Sequence, residues 1–212
     1  MPARRAILLC GQQRVLVAAI ARELSTTGPR LLIQAVPADA AATQRLGRSG
    51  IEFDMIAGGL GGELSSWQLV AAAWKAGRGI DAVIVCPRIA ATRGGGVRAR
   101  QVWDAGLSTA LKDVAFLAKQ LGRRWRRSGG CLIVAVGVAA ADRALAAVFR
   151  STLLTMVDAL SHALPANVRI AAVVAGPKPD AAEIARGVAR LVAGKPPRSG
   201  TVLEIGGMPR RG

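Results

Sequence analysis

Short apolar runs alternate with longer stretches of helical periodicity along the whole chain. That alternation restricts the architecture more than any other feature of the sequence. Residues 5–10 form a first apolar run, and residues 15–24 follow with Leu16, Ile20, Ala21 and Leu24 at helical spacing. Gly28 and Pro29 mark a turn, residues 30–36 read as a second strand closed by Pro37, and residues 38–46 as a short helix. A third strand at 51–56 precedes the glycine-rich turn 58–62, then a helix at 64–76 carrying Trp67 and Trp74. Strands at 80–86, 131–136, 168–175 and 201–205 then alternate with helices at 102–122, 144–164 and 180–193. Strands without polar alternation belong to sheets covered on both faces. The expected fold is therefore α/β: a three-layer, Rossmann-type, doubly wound parallel sheet of about seven strands. With no internal repeat and only the short loop 195–200 rich in proline and glycine, residues 1–212 are expected to form a single domain.

Composition closes several routes. The chain of 212 residues has one histidine, His162, three cysteines and no tyrosine, so no mechanism can use a tyrosine acid, base or nucleophile. Any Ser–His or Cys–His triad would have to use His162. That residue follows Asp158 by one helical turn, the spacing of an ordinary surface pair. Cys10, Cys86 and Cys131 cannot build a disulfide framework. Cys10 and Cys86 end strands expected to be neighbours, which leaves open a thiol pair at the strand ends beside the plainer reading of buried apolar residues. Glu52, Asp54 and Glu63 lack metal-ligand spacing, and the turn 58–62 lacks the Lys-Ser/Thr of a phosphate loop. No metal site is expected. The longest uncharged stretch, Ser128 to Ala141, is shorter than the ~18–20 residues of a membrane helix. The first residues lack the apolar core of a signal peptide. A cytoplasmic protein without membrane contact is expected.

The net charge of +16 points to anionic partners. Between Arg78 and Arg127 stand eleven basic residues and three acids, a net of +8. Arg88, Arg93, Arg98 and Arg100 surround three glycines, and Arg123, Arg124, Arg126 and Arg127 flank Trp125 at the end of a helix. The second cluster complements the helix dipole, and a lone tryptophan makes no stacking platform for bases. An anionic ligand is favoured over nucleic acid, which stays as a lesser alternative to be tested by the salt dependence of retention on heparin or DNA.

Six segments resemble, in order, landmarks of the short-chain dehydrogenase/reductase family. They are residues 6–24 (first strand, turn and helix), 80–89 (fourth strand and its turn), 102–111 (start of the long helix), 130–137 (strand of the catalytic serine), 169–176, and 200–207 (final strand). The resemblance implies a family first turn, Thr-Gly-x-x-x-Gly-x-Gly, at Cys10, Gly11, Gln12, Gln13, Arg14, Val15, Leu16 and Val17. Only Gly11 keeps its glycine. Val15 and Val17 stand where the cofactor would lie against bare backbone, while Arg14 can still meet a phosphate. The family's Asn-Asn-Ala-Gly turn falls on Val85, Cys86, Pro87 and Arg88.

By the same resemblance, the family's catalytic asparagine falls on Ala110, its serine on Val136 or Gly137, its tyrosine on Ala146 and its lysine on Arg150. None carries the family's group, and Arg150 cannot release a proton near neutral pH. The expectation is therefore no catalytic residue and no bound cofactor. The chain is expected to be a non-catalytic subunit, in a homo- or hetero-oligomer, that supports an active dehydrogenase homologue. The alternative is an NAD(P)-dependent oxidoreductase with an atypical site. In the resembled family the helices at 102–122 and 144–164 pair across a twofold axis. The stripe Phe149, Leu153, Met156, Val157 and Leu160 on the second could serve core or interface. The basic stretch from Arg88 to Arg127 could then meet an acidic partner or an anionic substrate such as a coenzyme A thioester.

Overall fold

A computed structural model describes residues 5–35, 46–87, 97–137, 143–175, 180–194 and 198–205; the side chains of 97–103 and 143–146 are not described. Residues 38–45 of the expected helix at 38–46, the arginines at 88 and 93, the three glycines beside them and the side chain of Ala146 lie outside that set; Leu46 is helical and buried.

Seven strands form one parallel sheet: β1 (Ala6–Gly11), β2 (Arg30–Gln34), β3 (Phe53–Ile56), β4 (Ala82–Cys86), β5 (Gly130–Val136), β6 (Val168–Ala175) and β7 (Thr201–Ile205). Their spatial order is β3-β2-β1-β4-β5-β6-β7. The chain thus winds outward one way from β1, returns to β4, and winds outward the other way. Among the described residues, five long helices cover the faces: α1 (Arg14–Ser25), α2 (Glu63–Gly77), α3 (Val97–Arg124), α4 (Arg143–Ala163) and α5 (Ala181–Ala193). Among the described residues no helix is long and apolar enough to cross a membrane.

The pleat divides the core in two. Ala6, Leu8 and Cys10 of β1 face the layer of α2, α3 and α4, together with Leu69, Leu117 and Phe149. Ile7 and Leu9 face α1 and α5, with Ile20, Leu24, Ile184 and Val188. Central strands covered on both sides have no exposed face, which is why β1 and β4 contain no charged residue. Each fully buried Leu or Ile contributes about 1.5–3 kcal/mol relative to exposure.

Phe149, Leu153 and Val157 are buried in the core under α4, with Met156 and Leu160 packed beside them, so the apolar stripe is core. Trp125 is fully buried just past the end of α3, while Arg123, Arg126 and Arg127 around it are exposed. The guanidinium of Arg124 lies 5.6 Å from the ring of Trp74. This basic cluster precedes β5, and so belongs to the amino-terminal edge of the sheet, opposite the edge where β1 and β4 end.

Candidate functional site

In a doubly wound sheet the ligand crevice lies beyond the carboxyl ends of the strands where the order reverses, here between β1 and β4. Gly11 closes β1 with φ +121°, beside Cys86 in the register. A Cβ at Gly11 would stand 2.3 Å from the Cys86 carbonyl oxygen, so only glycine fits. The N–H groups of Gln12 and Gln13 both donate to that oxygen, at 3.0 and 3.3 Å. The turn is thereby fastened to β4 by main-chain bonds.

Gln34, at the end of β2 and buried, ties the turn to the other side. Its Oε1 accepts from the Gly11 N–H at 2.9 Å, and its Nε2 donates to the Gly58 carbonyl at 3.2 Å. Arg14 Nη1 donates to the Gln34 main-chain carbonyl at 3.3 Å, which places the guanidinium between the head of α1 and the end of β2. Helix α1 starts without a side-chain cap or an acid in its first turn. Its first bond back to the turn is Val17 N–H to the Gln13 carbonyl, so the N–H groups of Val15 and Leu16 precede the intrahelical ladder.

Gln13 reaches the opposite way. Its Nε2 donates to the Pro87 carbonyl at 2.7 Å and to the Gly137 carbonyl at 3.2 Å, linking the first turn to the chain leaving β4 and β5. Across the α2–α3 layer, Asp113 is buried and its Oδ1 accepts from the Gly61 N–H at 2.7 Å, which anchors the glycine turn. Burial raises the Asp113 carboxyl above the usual carboxylate range, against the smaller opposing effect of the Gly61 bond.

The residues singled out from sequence are placed as follows. Val17 is buried beneath α1 and Val15 is 78% exposed, so the two valines do not act together at the crevice. Ala110 and Val136 are buried, and Gly137 meets Gln13 through its carbonyl. Arg150 forms an ion pair with Glu204 of β7, away from the reversal point. His162 is exposed at the end of α4, its Nδ1 4.0 Å from Asp158 Oδ1. Asp54 pairs with Arg30 at 2.8 Å and Glu63 with Lys119 at 2.6 Å, ordinary surface pairs, and Glu52 is exposed. Among the described residues no three His, Cys, Asp or Glu side chains come together.

The thiol pair does not form. Cys10 sits opposite Val85 in the β1–β4 register and Cys86 opposite Gly11, so the two side chains point into different core layers. Both are fully buried. Burial pushes the Cys10 thiol well up and Cys86 to about 12, and neither supplies thiolate near neutral pH.

Sequence reasoning missed Gln13, Gln34 and Asp113. The available signal was polarity in the wrong place: an amide ending an apolar strand, and a carboxylate within a helix face that carries Ala110, Val114 and Leu117. Buried polar groups are bonded, and each such residue marks a joint.

No protein-family model and no curated protein matches the chain. Solved structures do. A short-chain dehydrogenase from Mycobacterium smegmatis superposes with a TM-score of 0.74 at 15% identity, covering 99% of this chain and 94% of that one. A variant of the actinorhodin polyketide ketoreductase, solved with NADPH, gives 0.74 at 17% identity over 95% of each chain. A metagenomic short-chain oxidoreductase in complex with NADP gives 0.72 at 20% identity over 95% of each. The fold is that of the short-chain dehydrogenases/reductases. This corrects the expectation of no cofactor: proteins of the short-chain-dehydrogenase fold that this chain matches were solved holding NADP or NADPH. The expectation leaned on two lost glycines. Yet Val17 faces the core and Gly11, the glycine the strand contact demands, is present.

Proposed function

We propose that the chain binds an NADP-type dinucleotide in the crevice between β1 and β4, as a short-chain-dehydrogenase-like subunit that supports an active homologue. One observation carries the binding step: Arg14 on the Gln34 carbonyl, beside the uncapped head of α1. In dinucleotide folds the pyrophosphate rests on the N-terminus of the first helix. About 20 residues further on, an acid holds the ribose 2′-hydroxyl, or a nearby arginine accommodates a 2′-phosphate. Here the residue 23 positions after Gly11 is Gln34, its amide committed to Gly11 and Gly58, and the cation beside it is Arg14. Those residues fit a phosphorylated adenosine ribose better than an unphosphorylated one. The dinucleotide supplies hydride chemistry when bound; the chain's own part is to grip the phosphates and keep the turn in place.

The supporting role rests on the absence of tyrosine and on Arg150 being paired with Glu204. A proton relay of the family's kind has no phenol in this chain. The fold likeness favours a second reading, an NADP(H)-dependent oxidoreductase with an atypical site. Both readings share the binding step and divide over turnover. Titration with NADPH and NADH tests binding: micromolar NADPH binding, weaker for NADH, is expected, and no binding of either would overturn it. Copurification of a homologue carrying Tyr-x-x-x-Lys supports the subunit role. Carbonyl reduction by the isolated chain would establish the oxidoreductase instead.

A further inference from the structure

The first turn reaches across the reversal point. Strands β1–β3 and β4–β6 lie on the two sides of that point, and in doubly wound folds of this order a dinucleotide lies across the crevice with one nucleotide on each half. Arg14 and Gln34 serve the first half. Gln13, adjacent to Arg14, sends its amide to the second, donating both Nε2 hydrogens to the carbonyls of Pro87 and Gly137. Those carbonyls lie one residue beyond β4 and β5, at the carboxyl edge that the far nucleotide would have to approach.

We infer that Gln13 is a specificity-determining residue: its side chain spans the second half of the crevice, so the resting site receives an adenosine phosphate and admits the nicotinamide half only when the amide is displaced. This rests on the dinucleotide reading above and refines it. The physical basis is a competition for acceptors. A ribose hydroxyl entering over β4 and β5 would donate to the same carbonyls, and must break two existing hydrogen bonds before making its own. The adenosine end is unaffected, because its partners hang on β1, β2 and the head of α1, none of which Gln13 Nε2 touches. Gln13 is half-buried and its main-chain N–H is fixed separately on the Cys86 carbonyl, so truncating the side chain leaves the turn fastened.

The test is calorimetric titration of the full chain with adenosine 2′,5′-bisphosphate and with NADPH, on wild type, Gln13→Ala and the shorter amide Gln13→Asn. Wild type is expected to bind the bisphosphate at least as tightly as NADPH. Both variants should tighten NADPH about tenfold, the order expected for two neutral hydrogen bonds no longer broken, and leave the bisphosphate within about twofold. Unchanged or weaker NADPH binding in both variants, with bisphosphate binding retained, would overturn the inference and leave the dinucleotide reading standing. Failure of wild type and variants to bind either ligand would overturn that reading, and this inference with it. Thermal unfolding of each variant without ligand checks that the fold is intact.

Discussion

The indole N–H of Trp125 donates to the main-chain carbonyl of Ile80 at 2.5 Å, joining the end of α3 to the approach of β4. The ring is fully buried and lies so close to Gly130 that a Cβ there would run into it. A residue flanked by four arginines, which could be read as part of a charged surface, is a cornerstone of the core.

Trp125→Ala is therefore expected to cost about 3–5 kcal/mol of stability, the usual range for emptying a large aromatic site. Trp125→Phe keeps most of the packing but strands the Ile80 carbonyl, at about 1–3 kcal/mol. Urea denaturation followed by circular dichroism gives both numbers. A loss under 1 kcal/mol for the alanine variant would contradict the packing described.

Gly11→Ala adds a methyl group where the Cys86 oxygen already stands, at a φ of +121° that alanine avoids. Overpacking of this kind costs about 1–3 kcal/mol or more, and it should abolish ligand binding by displacing the turn. Gly59→Ala meets nothing within 4 Å and is the control, expected within about 0.5 kcal/mol of wild type in the same melt.

Arg14→Ala should weaken NADPH about tenfold or more and leave NADH within about threefold, since a charge-assisted bond to a phosphate contributes roughly 1.5–3 kcal/mol. The NADPH affinity of wild type should also fall with added salt more steeply than that of the variant. Equal losses for the two dinucleotides would mean that Arg14 does not read the 2′-phosphate.

Much of the architecture is legible in the residues because each central strand is apolar on both faces and each long helix carries a stripe. The alternation of such runs and stripes points to about seven strands, and the absence of polar alternation in the strands to a parallel sheet. Boundaries are less legible: α3 starts at Val97 rather than 102, since Arg98 and Arg100 carry no apolar periodicity but do not oppose a helix. The candidate site was harder to read for a physical reason. Gln13 and Gln34 act through side-chain amides bonded to main-chain carbonyls and N–H groups, and such partners leave no trace in the residue types they contact. The placing of Cys10 and Cys86 on adjacent strands was legible, but their facing depended on a register that the sequence does not state.

Asp113 gives a pH signature with a definite sign. Its folded pKa is raised, so the ionised carboxylate opposes folding above that pKa, and the penalty is relieved as pH falls through it toward the unfolded value near 3.8. Asp113→Asn keeps an oxygen for Gly61. It should melt higher than wild type at pH 7, with the gap closing as pH approaches 4. A gap that is constant with pH would assign the effect to something other than ionisation.

Cys10 and Cys86 should resist thiol reagents in the native protein and react only on unfolding, since both are sealed and their thiols are held protonated. Mass spectrometry after a timed alkylation at pH 8 decides this. Prompt native labelling of either would show that the strand ends open.

The path of the first turn is set by the Cys86 carbonyl and the Gln34 amide, groups that belong to the protein itself. A ligand is thus a tenant of this crevice and not one of its beams. Two of the three glycines that let a cofactor lie close can be replaced while the backbone keeps its course. The fold can outlast changes in what it holds, and ligand should raise the melting temperature only as far as mass action requires.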